Sequence, residues 1–108
     1  MDETMTVNTD FGIYECTPVV RQYGNGHIAI QLFCDEGPFA TLTTNIDGIE
    51  EFEDDCSCLD TNNCPWAEEF VRDYDLGYFE GVYLYSGYCS YPVYRFNRDE
   101  IMTYTAGK

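Results

Sequence analysis

One short segment constrains the fold more than any other: a cleanly alternating run held between two turn signals. Gly24-Asn25-Gly26 favours a tight turn, because glycine and asparagine tolerate positive φ. In the run that follows, Ile28, Ile30, Leu32 and Cys34 share one face, while His27, Ala29, Gln31 and Phe33 share the other. Asp35-Glu36-Gly37-Pro38 is the second turn, and a further strand is expected from Phe39 to Thr44. Upstream, Phe11 to Glu15 and Val19 to Tyr23 are rich in aromatic and β-branched residues, again the signature of strands. A strand held between two short turns pairs with its sequence neighbours, so this half of the chain predicts an antiparallel meander.

The second half begins with the one convincing helix. Pro65 suits a first helical position, with Asn63 or Cys64 as cap, and Glu68 and Glu69 fall in the first turn, where the macrodipole favours acids. Trp66, Phe70 and Tyr74 recur every four residues, an apolar stripe to lay on a sheet, and Gly77 is the expected stop. Strands are then predicted for Tyr78 to Tyr85 and Cys89 to Asn97, either side of Ser86-Gly87; Arg98 to Tyr104 fits a short helix or a strand. The expected fold is α+β: one antiparallel sheet of about five to six strands with one main helix packed on one face. At 108 residues this is a single domain, 11–108, preceded by a polar, flexible leader at 1–10.

Charge narrows the partners. Twenty acids against five bases give a net charge of −15. Direct nucleic-acid binding needs clustered Lys and Arg and is not expected; an anionic membrane surface is disfavoured for the same reason. No apolar run approaches the length of a membrane span, and the N-terminus lacks a basic-then-apolar export signal. The expectation is a cytoplasmic protein with reduced thiols. Its acids are unevenly placed. Asp47, Glu50, Glu51, Glu53, Asp54, Asp55 and Asp60 fall in one stretch without a single base. Such a block is ordinarily a solvated loop or an interaction surface. Were Asp47 to Asp55 extended, six charges would lie within about 30 Å, a density comparable to phosphates along one nucleic-acid strand. These six acids are therefore candidate partner-binding residues.

A second candidate surface is aromatic. Tyr78 to Tyr88 holds four tyrosines, and on a strand Val82 and Leu84 face one way while Phe79, Tyr83 and Tyr85 face the other. With the helix over the aliphatic face, Tyr83, Tyr85 and Tyr88 become candidate anchors for a protein partner. Trp66 would add to that apolar anchorage.

Motifs for catalysis are absent: there is no nucleophile elbow, phosphate-cradling glycine loop or zinc-protease helix, and no catalytic residue is expected. His27 is the only histidine and so the only obvious base for an alternative reading as a small ligand-binding protein or enzyme. Cys56, Cys58 and Cys64 are the closest approach to a metal motif, although structural zinc wants four ligands in two close pairs. A metal-stabilised accessory module is the alternative they carry. No cofactor is expected.

Asp60-Thr61-Asn62-Asn63-Cys64-Pro65-Trp66, with Gly87-Tyr88-Cys89-Ser90-Tyr91-Pro92-Val93-Tyr94-Arg95-Phe96, resembles a small uncharacterised family associated with phages, plasmids and conjugative elements of gut bacteria. His27 to Leu32 and Pro38 to Thr43 are similar to its N-terminal strands. The resemblance implies no catalytic residues. It implies a setting in which small acidic proteins act against host defence, including CRISPR systems. The expected function is thus a non-enzymatic inhibitor whose acidic, nucleic-acid-mimicking surface occludes a basic groove of a nucleic-acid-binding defence complex.

Overall fold

The computed structural model describes residues 4–102. Along the chain run β1 (Met5–Thr9), β2 (Gly12–Gln22), β3 (Ile28–Cys34), β4 (Gly37–Thr41) and β5 (Thr43–Thr44). A 3-10 turn (Ile49–Glu51), β6 (Cys56–Leu59), α1 (Ala67–Asp73), β7 (Gly77–Ser86), β8 (Cys89–Phe96) and α2 (Arg98–Met102) follow. The class is α+β, antiparallel throughout, with one main helix. The single sheet expected from sequence is corrected to two four-stranded sheets, ordered β1-β2-β3-β4 and β5-β6-β8-β7.

The meander is realised as predicted around β3. Ile28, Ile30 and Leu32 are buried, the Tyr23–His27 turn closes with Tyr23 N–H donating to the His27 carbonyl at 2.9 Å, and Gly26 sits at φ 89°. The strand expected from Phe39 to Thr44 breaks at Leu42, where the chain leaves the first sheet for the second. Leu42 is fully buried; its N–H donates to the Ile30 carbonyl and its carbonyl accepts from the Asp60 N–H, both at 2.9 Å.

The sheets are stitched together along the first half of β3, which β4 does not reach. Ile28 N–H donates to the Asp54 carbonyl (2.9 Å) and Ser57 Oγ donates to the Ile28 carbonyl (2.7 Å). Ile30 N–H donates to Thr43 Oγ1 (3.1 Å). His27 Nδ1 donates to the Cys56 carbonyl at 2.9 Å, so its ring is a buried strut between the sheets. Buried polar groups are stable only when satisfied, and these satisfy one another across the junction.

Residues 5–9 correct the flexible-leader expectation. Met5 and Val7 alternate inward and are fully buried, and Thr6 N–H donates to the Tyr74 hydroxyl at 2.6 Å, tying β1 to the end of α1. Residues 1–3 of that leader lie outside the described residues. The acidic block is likewise not a free loop from end to end: β6 emerges from it as an interior strand of the second sheet, buried at all four positions.

Helix α1 starts two residues after Pro65 and buries Ala67, Phe70 and Val71. Trp66, Phe70 and Tyr74 form the predicted file, with ring centroids 5.8 and 5.3 Å apart. The helix stops at Tyr74 and Asp75, the latter at φ 55°, not at Gly77. Gly77 serves the sheet instead. A Cβ at this position would overlap the Arg95 carbonyl oxygen, so only glycine lets β7 close on β8. The ambiguous last stretch is helical from Arg98 to Met102; residues 103–108 lie outside the described residues. Among the described residues no helix is long and apolar enough to cross a membrane.

Candidate protein-binding face

Two cores flank the second sheet. The larger lies between the sheets and under α1, and contains Ile28, Leu32, Leu42, Leu59, Phe70, Tyr94 and Phe96 among others. The smaller, Ile46, Ile49, Cys56, Cys58 and Val93, lies on the opposite face, with Phe52, Leu84 and Tyr91 packed against it. Val93 and Tyr94 belong to different cores because successive strand residues face opposite sides.

The smaller core shapes the acidic segment. Ile46, Ile49 and Phe52 recur every third residue and point inward, while Asp47, Glu50, Glu51, Glu53 and Asp54 stay exposed between them. Ile49–Glu51 rises only about 2 Å per residue as a 3-10 turn, and Cys56 N–H closes a second turn on the Glu53 carbonyl at 2.9 Å, so the segment folds into a knob rather than a phosphate-like row. Gly48 enters the turn at φ 102° with Leu84 below it, and its N–H donates to Glu50 Oε1 at 3.1 Å. Backbone N–H donors at Glu50 and Gly48 hold the Glu50 carboxyl below its ordinary pKa.

Arg95 organises the base of the knob. Its guanidinium donates through Nη1 to Glu53 (2.7 Å) and Asp55 (2.9 Å), and through Nε to Glu80 (2.7 Å). The Glu53 and Glu80 contacts raise its pKa further, so it stays charged. Three carboxylates against one cation leave this cluster net negative, and it joins β8, the acidic segment and β7 into one face. Glu80 and Arg95 are the participants that reading the sequence missed. Glu80 reaches this face because β7 bulges: Glu80, Gly81 and Val82 oppose the single residue Val93, with Gly81 at φ 86°. The available signal was Arg95 itself, a lone base between the aromatic residues of a predicted strand.

The candidate tyrosines are exposed but are not brought to the acids. Tyr83 meets Phe79 edge-on (centroids 5.3 Å apart), and Phe79 packs on Tyr94 (5.8 Å) of the larger core. Leu84, between Tyr83 and Tyr85, turns the other way, beneath the acidic turn. Tyr83 and Tyr85 therefore sit across the sheet from the knob, and Tyr88 projects fully exposed from the β7–β8 turn.

The three candidate thiols do not converge. Cys56 and Cys58 are in the smaller core and Cys64 in the larger, and among the described residues no group of three or more His, Cys, Asp or Glu is placed to hold a metal ion. Burial pushes the thiols of Cys16, Cys56, Cys58 and Cys64 up to about 11, far from a reactive thiolate.

Replacing Arg95 by methionine removes the cation and leaves Glu53, Asp55 and Glu80 facing one another. The thermal midpoint is expected to fall at low salt and to recover partly at about 0.5 M salt, where exposed charges are screened. Combining Arg95→Met with Glu80→Gln should recover part of the loss without salt. Equal losses at low and high salt would show that Arg95 acts through packing alone.

A model of a family described as a domain of unknown function (DUF4313) matches residues 17–107. No curated protein and no solved structure matches the chain.

Proposed function

The chain belongs to the DUF4313 family of unknown function, and from that premise we propose a non-enzymatic, protein-binding inhibitor carried by a mobile element. Its acidic knob engages a basic nucleic-acid groove of a host defence complex, a CRISPR effector being one such target. The observation that carries this reading is a predominantly acidic face, on which carboxylates outnumber the two bordering bases, Arg95 and Arg98. Asp47, Glu50, Glu51, Glu53 and Asp54 are exposed on a pinned turn, and the ion pairs at its base, from Glu53 and Asp55, both end on Arg95. A rigid acidic surface loses little entropy on docking, and its field steers a basic partner toward it. Five acids on a knob mimic the charge of a nucleic acid, not the spacing of its phosphates. The occluded site is accordingly a local basic pocket within the groove.

The test begins with the immobilised chain and a bacterial lysate. A basic nucleic-acid-binding protein should be retained, elute with rising salt and be displaced by duplex DNA. The triple variant Asp47→Lys, Glu51→Lys, Asp54→Lys spares every Arg95 pair and should weaken that binding by at least about tenfold, with a flatter salt dependence. Affinity that is equal at low and high salt, or indifferent to DNA, would overturn the reading.

A further inference from the structure

On the other side of the molecule, a cleft of about 440 Å³ opens between the β1–β2 hairpin, β4 and the start of α1. Its lining brings together Asp10, Phe11, Tyr14, Phe39, Trp66 and Glu69. Three of the rings stand in succession: Tyr14 and Phe39 have centroids 4.8 Å apart, and Phe39 and Trp66 6.0 Å. Phe11, at the hairpin tip, is 92% exposed, an unusual position for a phenylalanine that meets nothing. Two carboxylates, Asp10 and Glu69, border these rings, and among the described residues no arginine lines the cleft.

We infer that this cleft is a receptor for a guanidinium group, the side chain of an arginine presented by a peptide or protein. Aromatic faces carry negative quadrupole density, and a flat guanidinium stacks on them while its N–H fork pairs with a carboxylate. The cleft supplies both elements. A phosphate or carboxylate ligand would meet two acids without a cation, in a chain of net charge −15. A neutral apolar ligand would leave both carboxylates unused. The family match begins at residue 17, so Asp10, Phe11 and Tyr14 come from chain that precedes it. The site goes beyond the acidic knob, which lies over the smaller core of the second sheet, and the two stand or fall separately.

Trp66 is the only tryptophan and lines this cleft, so its fluorescence reports a ligand bound there. Titration with N-acetyl-arginine amide should give a saturable change. The neutral citrulline counterpart should bind about tenfold more weakly or not at all, and Glu69→Gln should weaken the arginine probe by a similar factor. A knob variant, Asp47→Asn, Glu51→Gln, Asp54→Asn, should bind as tightly as the parent at about 0.15 M salt, where distant charges are screened. Equal response to arginine and citrulline probes, no saturable response, or loss of binding in the knob variant would each overturn the assignment to this cleft.

Discussion

Leu42→Ala is expected to remove about 2–5 kcal/mol of stability, the usual cost of a fully buried leucine, from a domain whose total is about 5–15 kcal/mol. At this size each kcal/mol corresponds to roughly 4–8 °C, so the thermal midpoint should drop by about 10 °C or more. The position is chosen for what it joins. Leu42 occupies the one-residue step between β4 and β5, where the chain changes sheets, and its side chain is fully buried in the larger core. Its backbone bonds to Ile30 and Asp60 do not depend on the side chain and should persist. The loss then measures packing between the sheets. Because Ile28, Ile30, Thr43 and Ser57 also cross-link them, unfolding should remain a single transition. Urea unfolding followed by Trp66 fluorescence and by far-ultraviolet circular dichroism checks both points. A loss below about 1 kcal/mol, or two separated transitions, would mean that the sheets are independent units.

That junction also marks where the sequence stops being legible. β3 could be read because period-two alternation and two turn signals are local properties, complete within residues 24–38. The Trp66-Phe70-Tyr74 file could be read for the same reason. The change of sheet at Leu42 could not, because nothing in Thr41-Leu42-Thr43 distinguishes a continuous strand from one that turns onto another partner. β1 was hidden by brevity: two buried residues, Met5 and Val7, set among polar ones resemble a solvated leader until Cys16 and Tyr14 are placed opposite them. β6 was hidden by its neighbours. Cys56-Ser57-Cys58 follows a run of acids and contains a serine, and the burial of that serine makes sense only once the Ile28 carbonyl is there to accept its hydrogen bond.

The acidic face divides along the same line. Five of the six candidate acids lie exposed, over an inner side formed by Ile46, Ile49 and Phe52, whereas Asp55 is half-buried against Arg95. The shape of the face was not legible, because the knob depends on contacts distant in sequence. Leu84 supports Gly48, and Arg95 draws in Glu80 from 15 residues away, Asp55 from 40 and Glu53 from 42. The bulge that delivers Glu80 is signalled only by Gly81, one glycine among nine. The aromatic cleft was missed for a related reason. Phe11 and Tyr14 come from the first hairpin, Phe39 from β4 and Trp66 from the start of α1, and no local pattern joins the three segments.

Burial of thiols predicts a pronounced alkaline weakness. Cys16, Cys56, Cys58 and Cys64 each have a thiol pKa raised by burial to about 11 in the fold, against an ordinary value of 9.0. The native state therefore holds protons that the unfolded chain releases between these values. Stability falls with pH wherever the native state binds more protons, so the contribution is fully present below about pH 9 and is lost as pH rises towards 11. Each such proton steepens the loss by at most about 1.4 kcal/mol per pH unit. Tyr94 adds to the same limb, since burial and its hydrogen bond to Glu68 raise its pKa as well. Thermal midpoints in reductant from about pH 7.5 to about pH 10.5 should thus be level at first and then decline steeply. Cys58→Ala should start lower, for lost packing in the smaller core, yet decline more gently, having one proton fewer to release. A parent profile flat through about pH 10, or parallel slopes for the two proteins, would show that these thiols ionise alike in the folded and unfolded states.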